Sequence, residues 1–167
     1  MDQIQGKVKE LEKQSNGKKT PARKLRIEHS GTPQYWTWKS VHDSMYEVAE
    51  LVNVCWLEIL ARLYTNYLTP NTTYATYLVI KLTDNHKGLY NPPSKASIRF
   101  LGAGEASNRD VLLVGQGHRQ DGWMEVELGQ CYVRGNDNDY LEICLKEIEG
   151  GQWKSSLVVQ GMEVRPK

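Results

Sequence analysis

Two short stretches hold the residues with the most evident chemical capacity. "GTPQYWTWKS" (31–40) sets Tyr35, Trp36 and Trp38 among hydroxyls and a lysine, and "GGQWKSS" (150–156) sets Trp153 and Lys154 between two glycines and two serines. An indole or phenol face can lie against the C–H surface of a neutral ring, while nearby donors and acceptors reach that ring's hydroxyls. The chain carries 9 Tyr and 5 Trp against 1 Phe, so almost every ring has a polar edge able to face water or a polar ligand. On a strand, Trp36 and Trp38 point to one side and Tyr35 to the other, so this segment must divide between core and surface. In the second stretch the glycines bend a loop that presents Trp153 and Lys154, and loops carry binding while a scaffold holds them.

Other chemistries find weaker footing. His29, His42, His86 and His118 are widely spaced and lack companions at ligand spacing, so no metal and no cofactor is expected. Cys55, Cys131 and Cys144 form no C-x-x-C arrangement and read as reduced, buried and inert. "GAGEAS" (102–107) lacks the later glycine and the Lys-Ser/Thr of a phosphate loop, and there is no nucleophile elbow. Glu125 and Glu127 would sit about 6.6 Å apart on one strand face, inside the glycosidase range, but alternating acids are ordinary on a solvated sheet. The expectation is therefore a binding protein and not an enzyme.

Charge and hydropathy narrow the partners. Residues 1–24 carry a net charge of +4, which leaves −3 for the remainder, so the body lacks the basic stripe of a nucleic-acid binder. "MDQIQGKVKE" has no apolar targeting core, and no run approaches the roughly 20 apolar residues of a membrane span. A soluble, cytoplasmic protein without membrane contact is expected.

The elements that must position these residues are short. Gly, Pro and polar residues break the helical spacing of Ile4, Val8 and Leu11, so 1–24 reads as a flexible basic segment and 25–167 as one domain. Cys55, Leu57, Ile59, Ala61 and Leu63 alternate with Trp56, Glu58, Leu60, Arg62 and Tyr64, which predicts a strand. Further strands are predicted over 74–82, 96–100, 111–114, 123–128, 141–148 and 157–164, separated by turn formers such as "GAGEASNRD" and "GNDND". Many short strands without a long helix predict an all-β fold, a β-sandwich with jelly-roll-like topology. Trp38, Trp56 and Trp123 lie within or beside strands and read as packing residues, Trp38 being also a candidate contact.

The stretches "PQYWTWK", "EVAELVNVCWLEI", "TYATYLVIKLTDN", "DGWMEVELG" and "GGQWKSSLVVQGMEVRPK" together resemble the Nictaba-type and phloem protein 2 lectins of plants. The resemblance implies a β-sandwich lectin that binds N-acetylglucosamine oligomers and the chitobiose core of N-glycans. It also implies a non-covalent homodimer found in cytoplasm or phloem sap. The family's tryptophan in "QYW" corresponds to Trp36, and a distant similarity to glycoprotein-recognising F-box proteins implies contacts from Trp153, Lys154, Asp84 and Asn85. His29 stands where some relatives carry a second tryptophan, which puts affinity and preferred ligand length in question. The lysine-rich middle loop that can serve as a nuclear import signal in relatives is missing, so nuclear entry depends on whether the N-terminal lysines substitute for it. The competing expectation is a structural phloem or adaptor protein that binds other proteins or RNA.

Overall fold

The computed structural model describes residues 18–102, 104, 106–113, 117–135 and 138–167. Their eleven strands are β1 (Lys18–Pro21), β2 (Arg26–Ile27), β3 (Trp36–Lys39), β4 (Val48–Leu51), β5 (Leu57–Tyr64), β6 (Thr72–Lys87), β7 (Ser94–Phe100), β8 (Ala106–Val111), β9 (Met124–Val133), β10 (Tyr140–Glu147) and β11 (Ser155–Pro166). One antiparallel sheet runs β3-β4-β11-β6-β9, with β1 also on β11, and the other runs β2-β5-β10-β7-β8. The two sheets form a β-sandwich of jelly-roll type, as the alternation predicts.

The core follows from period-two patterning. In β5, Leu57, Ile59, Ala61 and Leu63 are buried; in β6, Leu78 and Ile80; in β10, Leu141, Ile143 and Leu145; in β11, Leu157, Val159, Met162 and Val164. The outer face of the six-stranded sheet carries a smaller cluster of Val48, Val79, Val158 and Trp123. There the Trp123 indole N–H donates to the Asp43 carbonyl at 3.1 Å and the Lys81 ammonium lies 4.6 Å from its ring. Trp123 is thus the packing residue the sequence suggests.

Beside it, Arg165 grips Glu125 through two hydrogen bonds of 2.8 and 2.9 Å, and Arg119 reaches Glu163 at 2.6 Å. These bonds from Arg165, joined by the arginine charges, outweigh partial burial and hold the Glu125 carboxyl below its ordinary range.

Three expectations need correction. Residues 18–24 are not part of a free tail: β1 pairs with β11, Lys18 opposite Val164 and Thr20 opposite Met162, and Ala22 is fully buried. The approach is so close that a Cβ at Gly161 would collide with the Thr20 carbonyl, so glycine is required there. Residues 1–17 lie outside the described residues. The turn expected over 102–110 is largely strand β8, whose Ala106–Asp110 are all exposed; an edge strand with no buried face leaves no apolar alternation to read. The strand expected at 111–114 is only the end of β8, and Val114 lies outside the described residues.

Candidate binding site at the loop end of the sandwich

Register places the predicted residues. β3 begins, β4 ends, β5 begins, β6 ends, β10 ends and β11 begins at one end of the sandwich, because Trp36 pairs with Leu51, Glu147 with Leu57, and Ser155 with Lys87. The loops 28–35, 52–56, 88–93 and 148–154 therefore converge there. Val52 N–H donates to the Tyr35 carbonyl at 2.8 Å, and Val54 and Lys154 exchange two backbone hydrogen bonds of 3.0 and 2.7 Å. Gly88, at φ 72°, leaves no room for a Cβ beside the Trp153 carbonyl.

Two exposed indoles sit on these bridged loops. Trp153 is 57% exposed and Trp56 is 45% exposed, with Tyr90 and Val52 also exposed at the same end. The His86 ring meets Tyr90 at 5.2 Å, and its Nδ1 lies 2.7 Å from the Thr83 carbonyl. Between Leu82 and Lys87, β6 bulges away from β11, and this excursion carries the exposed Asp84 and Asn85. Opposite the bulge, Ser156 adopts φ 67°, a left-handed conformation uncommon for a non-glycine residue. Tyr35 is half-buried, with the His29 ring 5.4 Å from its own.

The remaining predicted residues lie elsewhere. Trp36 is only 1% exposed and belongs to the inter-sheet core, which leaves no indole face for stacking; its N–H is buried without a partner among the described residues. It forms the floor of an open groove along β3 shared with Arg23, Ser30, Pro33 and Trp38. Trp38 is half-buried, donates to the Ser30 carbonyl at 3.1 Å, and has the Arg23 guanidinium over its ring at 3.9 Å. That face is already occupied.

Lys154 is 0% exposed and cannot reach a ligand. Its ammonium donates to the Cys55 carbonyl at 2.6 Å and the Gln152 carbonyl at 2.9 Å, with the Glu147 carboxylate at 3.8 Å. A signal for this arrangement exists in the sequence: Glu147 continues the inward phase of Leu141, Ile143 and Leu145, and an acid at an inward position demands a buried cation. Trp56, expected to pack, likewise falls on the outward phase with Glu58 and Leu60, which is why it is exposed.

All three cysteines are free thiols; Cys131 and Cys144 are buried, and desolvation pushes each up to about 11. Cys55 is only half-buried. Among the described residues, no His, Cys, Asp and Glu cluster could hold a metal, and no helix is long and apolar enough to cross a membrane.

Fold and site together define a jelly-roll sandwich that presents aromatic side chains on clustered loops at one end. The sequence pattern of phloem protein 2 matches residues 19–166, and the chain belongs to that family. Two Arabidopsis thaliana relatives are F-box protein PP2-B10, 38% identical over 87% of this chain and 58% of the relative, and F-box protein At2g02240, 37% identical over 87% and 50%. The chain spans about half to two thirds of the length of the curated relatives it matches. Among solved structures, the CBM22-1 xylan-binding domain of Paenibacillus barcinonensis Xyn10C superposes with a TM-score of 0.42 at 15% identity, over 85% of this chain and 92% of that domain.

Proposed function

We propose that the chain is a non-catalytic lectin that binds N-acetylglucosamine oligomers and the chitobiose core of N-glycans at the loop end. The observation that carries this reading is a pair of exposed indoles, Trp153 and Trp56, on loops whose backbones are bonded to one another. An ordered loop has already lost the freedom that binding would otherwise remove. Trp153 stacks on one sugar ring, Trp56 and Tyr90 flank its neighbour, and Asp84, Asn85 and His86 hydrogen-bond hydroxyl and acetamido groups. Tyr35 closes the rim, while Trp36 and Lys154 act from beneath. Family membership and the lectin resemblance support the ligand class. A non-covalent homodimer in the cytoplasm completes the proposal.

The test is calorimetry with chitin trisaccharide. Trp153→Ala, with an unchanged melting temperature, is expected to lose about 1–3 kcal/mol or more of binding energy. Unchanged affinity would remove Trp153 from the site. The F-box names of the relatives favour a second reading, an adaptor that binds proteins through the same end. A glycan array without N-acetylglucosamine signal supports that reading. Shortened products after incubation with chitin oligomers would instead establish an enzyme.

A further inference from the structure

A fully buried lysine demands an explanation, because burial of an ammonium is unfavourable and a well-packed apolar residue is often at least as stable. An apolar residue at position 154 could fill the space but could not donate hydrogen bonds. Lys154 directs two of them at backbone carbonyls beside the two exposed indoles: Cys55 O precedes Trp56 and Gln152 O precedes Trp153. Its charge faces Glu147, 4% exposed, whose carboxylate accepts from the N–H groups of Glu149 at 3.0 Å and Gly150 at 3.1 Å. Glu147 therefore fixes the start of the 148–153 loop and Lys154 its end, and the ammonium also fixes the neighbouring loop. Gly150 fits only because it has no side chain, since a Cβ there would strike both the Glu147 carboxylate and Pro92.

We infer that Lys154 and Glu147 are positioning residues for the binding end: the buried pair touches no ligand and sets the spacing of Trp56 and Trp153. This rests on the saccharide reading for its effect on affinity, but not for its effect on loop order. The pair occupies the inner ends of the loops, so it acts on both indoles at once through their own backbones.

The experiment has two arms. In the first, hydrogen exchange on Lys154→Met is expected to accelerate at amides 53–56 and 149–153 by about tenfold or more while the central amides of β6 and β11 stay protected. Unaccelerated loops in the folded variant would overturn the inference. If Lys154→Met fails to fold, Glu147→Gln, similar in size but lacking the charge, is expected to give the same pattern, and unchanged loops there would overturn it equally.

In the second arm, calorimetry with chitin trisaccharide is expected to show about tenfold weaker binding for Lys154→Met. The Lys154→Met/Trp153→Ala pair should lose less than the product of the single losses, as coupled residues do. A Lys154→Met variant with full affinity, beside a Trp153→Ala variant that has lost it, would sink the positioning role alone. Absence of trisaccharide binding by the unmodified protein would sink the saccharide reading, and a Trp153→Ala variant with full affinity would remove Trp153 from the site; in either case the exchange arm decides the role of Lys154 by itself.

Discussion

"PQYWTWK" and "GGQWKSS" have nearly the same ingredients, tryptophan beside hydroxyls and a lysine, and their tryptophans meet opposite fates. Trp36 starts an edge strand whose inward phase points into the sandwich, so its indole lies in the core. Trp153 ends a loop that turns away from the sandwich, so its indole faces water while the following residue turns inward. In each pair, one large side chain is spent on the interior: the aromatic in the first segment, the cation in the second. Composition marks where binding chemistry could be, but the phase of the neighbouring strand decides which residue can meet a ligand.

The sharpest way to break this contrast is stability. Trp36→Ala should destabilise the fold by about 3–5 kcal/mol, whereas Trp153→Ala should stay within about 0.5 kcal/mol, both read by denaturant titration. Similar losses for the two would abolish the distinction. Affinity should divide in the other direction: Trp56→Ala is expected to weaken chitin trisaccharide binding by about tenfold in calorimetry, which puts it with Trp153 and not with the core. A variant with wild-type affinity would return Trp56 to a packing role.

A finer probe is Trp36→Phe. Phenylalanine gives up part of the ring but also removes a buried N–H that has no partner among the described residues, a group that costs about 1–3 kcal/mol, so the net change should be under about 2 kcal/mol with affinity unchanged. A loss as large as that of Trp36→Ala would mean the indole N–H has a partner. The smallest effect belongs to the six-stranded sheet's outer face. Glu125 titrates below its ordinary 4.5, so its contribution is present above about pH 4.5 and is lost as pH falls through the depressed value. Glu125→Gln should flatten the acid limb of the melting temperature against pH; an unaltered limb would assign it to other carboxylates.

The sequence made the two-sheet fold readable because long inward series such as Leu57, Ile59, Ala61 and Leu63 leave little doubt about strand phase. It concealed β1, since Lys18–Pro21 join the sheet through backbone hydrogen bonds and the space left by Gly161, neither of which has an apolar signature. It concealed β8 because every residue from Ala106 to Asp110 is exposed. At the site, the exposed Trp153 was legible from its glycine-bent loop. The inward phase of Glu147 calls for a buried cation, but nothing local to Lys154 names it as that cation, because its burial also depends on the Cys55 loop, 99 residues upstream.

The pairing of β1 with β11 also sets the direction in which the molecule can be held. Lys18 lies opposite Val164, and Lys167 N–H donates to Thr73 O, so the chain passes both points at the pole away from Trp56 and Trp153. A linker attached at either point would leave the aromatic loops facing outward, so an immobilised or fused form of the protein should present them unobstructed.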